Sequence, residues 1–122
     1  MSKEFIELEQ PFLTNNYTTV MVEKEYKFNA PHHFKVVKTD NPDEVVGEIN
    51  FQEGPIKEVG VNGVNNEDLI SMVIARLTAF QDSEYACEEN KEAALALYKA
   101  LAYLRDRTLK RKERGVEGTS TV

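Results

Sequence analysis

Hydrophobic and polar positions follow one period up to about residue 64 and another beyond it. Between Tyr17 and Phe28, the residues Thr18, Val20 and Val22 share one side with Tyr26 and Phe28, while Glu23, Glu25 and Lys27 stand opposite. That is the alternation of a half-buried strand. Asn29-Ala30-Pro31-His32 predicts a turn, and Phe34, Val36 and Val37 mark a strand over 33–38. Thr39-Asp40-Asn41-Pro42-Asp43 predicts the next turn, through Asx hydrogen bonding and the fixed φ of proline. Val45, Val46, Ile49 and Phe51 form the following strand, and a short leading strand around 5–8 completes a small antiparallel sheet of three or four strands joined by hairpins.

Residues 53–64, with three glycines, a proline and an Asn-Gly pair, exclude a long regular element and read as a packed connector. Asn65 or Asn66 then caps a helix whose first turn carries Glu67 and Asp68, where acids complement the helix dipole. Leu69, Ile70, Val73, Ile74, Leu77 and Phe80 recur three and four apart, which predicts one apolar face over 66–81. After a turn at 81–84, with Asp82 or Ser83 as N-cap, a second helix over about 84–113 carries Ala93, Ala94, Leu97, Leu101 and Leu104 on one face and stops at Gly115. The expected fold is α+β: an N-terminal antiparallel sheet with its connector over 1–64, then a helical hairpin with a long second helix over 65–122, joined as one compact unit. The second helix would span roughly 45 Å at 1.5 Å per residue, about twice its partner. Leu95, Leu97, Tyr98, Leu101, Ala102 and Leu104 therefore form an apolar band wider than the hairpin can cover, which predicts packing against the sheet and against another copy, a homo-oligomer.

Composition narrows the function classes. The chain has 122 residues, 41% hydrophobic and 30% charged, enough for one small domain or two joined halves. A net charge of −6 argues against a general DNA or RNA binder, whose affinity comes from many cationic contacts to phosphate. The single cysteine, Cys87, excludes an intrachain disulfide framework and fits a reducing cytoplasm. With no secretory signal and no stretch near the ~20 apolar residues that cross a bilayer, a soluble intracellular protein without membrane partners is expected.

Catalytic signatures are missing: there is no glycine-rich phosphate loop, Cys-x-x-Cys, His-Glu-x-x-His or nucleophile elbow. His32-His33 falls in a predicted turn, and adjacent histidines on extended backbone point apart, so no metal site is expected. Cys87, flanked by Glu84, Glu88 and Glu89, reads as small buried filler and not as a nucleophile. The segment 105–114 holds Arg105, Arg107, Lys110, Arg111, Lys112 and Arg114 against Asp106 and Glu113, a local charge of +4. Cations stabilise a helix C-terminus, yet four arginines also suit recognition, because a guanidinium matches phosphate and stacks on bases. Phe80 ends the first helix and Asn90 lies early in the second, so a short turn brings the two positions near each other. A phenyl face can stack on a purine and an Asn amide can pair with adenine, although core packing and helix capping explain the same spacing.

Five stretches, Glu53-Gly54-Pro55-Ile56-Lys57-Glu58, Asn62-Gly63-Val64-Asn65-Asn66-Glu67-Asp68-Leu69, Tyr85-Ala86-Cys87-Glu88-Glu89-Asn90, Arg105-Asp106-Arg107-Thr108 and Arg114-Gly115-Val116-Glu117-Gly118-Thr119, occur in that order. Together they resemble the phage Thoeris anti-defence sponge family over about residues 50–120, and the helical hairpin is similar to that of a phage anti-CBASS sponge. The N-terminal half is similar only in length and strand character. Where family members often carry Arg after the Ala-Cys pair, this chain has Glu88.

The resemblance implies a non-enzymatic protein of the infected bacterial cytoplasm that captures cyclic ADP-ribose isomers, 1''-2' and 1''-3' glyco-cyclic ADP-ribose, made from NAD by TIR-domain enzymes. It also implies a homohexamer built from dimers, a second site for CBASS cyclic oligonucleotides, and no cofactor. Phe80 would stack on adenine, Asn90 would hydrogen-bond the ligand, Arg107 would meet the pyrophosphate or stack, and Glu117 with Thr119 would bind ribose hydroxyls or cover the pocket. Arg107 lies about 25 Å along the helix from Asn90, so the pocket is expected between subunits. Lys57 with the Asn62-Gly63 loop is the candidate second anion site, since amides at a helix N-terminus attract phosphate; a turn and an N-cap account for the same residues. Lys24, Lys27 and Lys35 stay open as the contact from the N-terminal half. Alternative readings are an anti-CBASS sponge mainly for cyclic di- or trinucleotides, a structural oligomer binding a host protein, and an enzyme that cleaves the signal.

Overall fold

The computed structural model describes residues 3–122. The chain divides between Val64 and Asn65 into two compact units. None of the described helices is long and apolar enough to cross a membrane.

In the first unit, β1 (Phe5–Glu7), β2 (Thr18–Glu23), β3 (His33–Lys38) and β4 (Asn41–Asn50) form an antiparallel sheet in sequence order, followed by the short helix α1 (Ile56–Val59). The register sets Ile6 opposite Val22, Val22 opposite Phe34 and Phe34 opposite Ile49, one apolar row across all four strands. Such cross-strand pairs on one face stabilise a sheet. Phe51 meets the edge of Phe34, with ring centroids 5.6 Å apart.

Two strand boundaries differ from the alternation pattern. β2 stops at Glu23 instead of running to Phe28, and Phe28 (φ 55°) and Asn29 (φ 71°) take the left-handed conformation, which excludes them from a strand. β4 starts at Asn41, directly after Thr39 and Asp40, and takes in Pro42 and Asp43. Register shifts between Val36 and Lys38 absorb the extra residues, and β4 is an edge strand, where a missing proline N–H breaks no ladder. Lys38 pairs with Glu44 across this irregularity.

Glu23, expected on the polar side, is 2% exposed. Its carboxylate accepts hydrogen bonds from the Lys3 ammonium (2.8 Å) and from the backbone N–H groups of His32 (2.7 Å) and His33 (2.9 Å). It therefore closes the long β2–β3 connection. Burial pushes the Glu23 pKa up, but the Lys3 hydrogen bond, the two amides and the Lys3 charge outweigh it and hold the group down to about 2. His32 is buried, its Nε2 2.8 Å from the Lys27 carbonyl, and His33 opens β3 instead of lying in a turn.

The connector is tied by side chains. Gln52 Nε2 donates to the Gly54 and Gly60 carbonyls and its Oε1 accepts from the Asn62 N–H. Asn62 in turn bonds the backbone N–H (2.8 Å) and carbonyl (2.7 Å) of Glu53. A Cβ on Gly63 would fall 2.5 Å from the Phe51 carbonyl, so this position must be glycine for the Phe51–Val64 bridge to form.

The second unit is a helical hairpin of α2 (Asn66–Gln81) and α3 (Glu88–Glu113). Asn65 is the N-cap of α2, and its N–H donates to the Asp68 carboxylate at 2.8 Å, half of a capping box. α3 begins four residues later than its expected start at 84, because 82–87 are held as a turn. Gln81 receives the Cys87 N–H and donates to the Cys87 carbonyl, both at 3.0 Å, while Ser83 Oγ bonds the Phe80 carbonyl at 2.6 Å. Cys87 is thus the exposed N-cap of α3, not buried filler. Within the unit only Ile74 is a buried apolar residue among those described, whereas Met72, Val73, Leu95, Tyr98, Tyr103 and Leu109 are exposed.

Candidate functional site

Phe80 closes α2 and Asn90 occupies the first turn of α3, so they flank the 82–87 turn at one end of the hairpin. Asn90 is half-buried. Phe80 is 40% exposed and lines an open cavity of about 340 Å³ with Arg76, Ala79, Ser83 and Tyr85. One helical turn before Phe80, the Arg76 guanidinium lies 5.7 Å from the ring centroid, within cation–π range. The cavity therefore offers an aromatic face, a second exposed ring in Tyr85 and one cation. These are the groups that hold a planar, anionic ligand.

Arg107, Glu117 and Thr119 lie at the opposite end. Arg107 is exposed on α3. The chain leaves α3 through a Schellman turn: Gly115 has φ 74°, its N–H reaches the Lys112 carbonyl, and the Val116 N–H reaches the Arg111 carbonyl, each at 3.0 Å. A second turn follows at once. The Val116 carbonyl accepts the Thr119 N–H (3.1 Å) and hydroxyl (2.6 Å), with Gly118 at φ 77°. Glu117 sits at the tip, at the position before this left-handed glycine. The Arg111 Nη2 encloses the segment by donating to the carbonyls of Val116 (3.1 Å), Thr119 (3.3 Å) and Thr121 (2.8 Å).

Phe80 and Asn90 thus flank the turn between the two helices, whereas Arg107 lies about 25 Å along α3 from Asn90 by the helical rise, toward the end where Glu117 and Thr119 follow the helix. Three residues of this geometry are not singled out by sequence motifs. Arg76 stands one turn before Phe80, and Tyr85 falls within the Tyr85–Asn90 stretch. Arg111 reads only as charge in the sequence, because its bonds depend on where the chain turns after Gly115.

The remaining candidates belong to the first unit. Lys57 is in α1, Asn62 bonds Glu53 through both side-chain heteroatoms, and Gly63 is packed on Phe51. Lys24 pairs with Glu4 at 3.6 Å, Lys35 lies 4.1 Å over the Phe5 ring, and Lys27 lines a polar cavity of about 630 Å³ with Lys3, Glu4, Glu23, Glu25, Tyr26 and Glu53. Glu23, His33 and Glu53 bring carboxylate and imidazole atoms within 4.8 Å of one another. The Glu23 carboxylate already holds the Lys3 ammonium and two amides, so a metal ion there would have to displace a built-in cation.

The Acb2/Tad1 hairpin domain family matches residues 43–104, from within β4 through most of α3. The protein named Thoeris anti-defense 1, of Bacillus phage SBSphiJ7, is 43% identical over 137 aligned positions, covering 93% of this chain and 96% of the relative. Identity of that level over nearly the whole of both chains, together with the hairpin-domain match, shows that the chain belongs to the phage Thoeris anti-defence sponges.

Proposed function

We propose that the chain sequesters cyclic ADP-ribose isomers, 1''-2' and 1''-3' glyco-cyclic ADP-ribose, in the cytoplasm of the infected host and holds them without cleavage. The observation that carries this reading is the division of the site between two ends of one hairpin. An aromatic, guanidinium-backed end suits adenine, and an end with Arg107, Glu117 and Thr119 suits pyrophosphate and ribose. Because one chain separates these ends by about 25 Å, a complete pocket takes Phe80 and Asn90 from one copy and Arg107, Glu117 and Thr119 from another. The exposed apolar residues Leu95, Tyr98 and Leu109 on α3 supply the surface for such pairing. The pairs are the building block of the homohexamer.

A sponge needs tight binding and slow release, not turnover. The test is calorimetric titration with both isomers and with a cyclic trinucleotide alongside, followed by heating and chromatography of the released nucleotide. Binding of the ADP-ribose isomers with recovery of the intact molecule supports the reading. No heat with either isomer overturns it, and recovery of a linear product replaces the sponge with an enzyme.

A further inference from the structure

We propose that Arg111 is a positioning residue for ligand capture, because it holds the Val116–Thr119 turn that presents Glu117 and Thr119. The inference rests on the functional reading above. Arg111 acts on this turn from both of its ends. Its backbone carbonyl takes the Val116 N–H at 3.0 Å, while its guanidinium donates to the Val116, Thr119 and Thr121 carbonyls. The Val116 carbonyl is also bonded within the turn, but residues 116–121 contain no regular element of their own to hold them against α3. Arg114 adds a further clamp by donating to the Val122 carbonyl at 2.6 Å.

Helical spacing explains why this matters for the ligand. Arg107 precedes Arg111 by one turn and lies on the same face of α3. A guanidinium that pins the turn from Arg111 therefore keeps Glu117 and Thr119 at the same end of the helix as Arg107. Without it, two ligand contacts would have to be ordered at the moment of binding, at a cost to affinity. The arginine is half-buried and its Nη2 already donates to three backbone carbonyls, so that nitrogen is committed to the turn and not to a ligand.

The experiment compares the full-length chain with Arg111→Met, Arg111→Lys and Gly118→Ala, using calorimetry with 1''-3' glyco-cyclic ADP-ribose and amide hydrogen exchange. Gly118 has φ 77°, so alanine strains the same turn without changing any charge. Both Arg111→Met and Gly118→Ala are expected to lose about tenfold in affinity or more, and to lose amide protection at Val116 and Thr119. Arg111→Lys recovers part of the affinity, and the oligomeric mass is unchanged throughout. Wild-type affinity in Arg111→Met overturns the inference. So does a loss in Arg111→Met with none in Gly118→Ala, which would assign Arg111 a direct charge contact. Silence from the wild-type chain overturns the functional reading and this inference together, and is distinguished by occurring without any substitution.

Discussion

The Arg76 guanidinium lies over Phe80, 5.7 Å from the ring centroid, so a cation from the preceding helical turn already faces the residue expected to stack on adenine. Stacking of a base on an aromatic side chain contributes about 1–3 kcal/mol. Phe80→Ala should therefore weaken nucleotide binding by about tenfold or more, and Phe80→Trp should retain it. Phe80 is 40% exposed, so Phe80→Ala should also lower the melting temperature by about 5–10 °C, whereas Phe80→Trp should shift it little. Calorimetry with the cyclic ADP-ribose isomers, alongside thermal melts, measures both effects.

A shared pocket makes a complementation prediction. Phe80→Ala and Arg107→Ala should each remove the wild-type affinity, weakening binding by about tenfold or more. Unfolded, mixed in equal amounts and refolded, they should regain about one quarter of the wild-type site number, because half the pairs are mixed and each mixed pair has one intact pocket. Stoichiometry from the titration gives the count. No recovery would place each pocket within a single chain.

Glu23 gives the first unit an acid-sensitive anchor. Its pKa is held near 2, below the unfolded carboxylate value of about 4.3. The stabilisation is complete above that unfolded value and is lost as pH falls toward 2. Thermal melts should show stability declining between about pH 4 and pH 2. Glu23→Gln should lower stability at neutral pH by about 2–3 kcal/mol and flatten the decline, because it leaves Lys3 unopposed and weakens the bonds to the His32 and His33 amides.

Two glycines should respond in opposite ways to alanine. At Gly63 the new Cβ would meet the Phe51 carbonyl at 2.5 Å, so the connector must shift, and a loss of about 3 kcal/mol or more is expected. At Gly47, in β4, no atom lies within 4 Å of the added Cβ and φ is ordinary. Gly47→Ala should be neutral or stabilising by up to about 1 kcal/mol. Urea denaturation distinguishes the two.

What could be read from the sequence was what depends on near neighbours. The α2 boundaries follow from Asn65, from Asp68 at the third helical position and from the spacing Leu69 to Phe80, all within one element. Gly115 marked the end of α3 for the same reason. The end of β2 was hidden because Glu23 is an acid whose burial depends on amides ten residues downstream and on Lys3 twenty residues upstream. The start of α3 was hidden by Glu84, a good helix residue displaced by the Gln81–Cys87 bonds. In the site, residue types were legible and partners were not. Arg111 resembles its cationic neighbours until the chain folds back over it.

The exposed N-cap Cys87 has a practical consequence. It is the chain's one thiol, and Gln81 fixes its backbone on both the N–H and the carbonyl side. A maleimide dye would therefore attach at a single, rigidly mounted point beside the turn that separates Phe80 from Asn90. Such a label gives a fluorescent probe beside the proposed adenine end without an engineered cysteine.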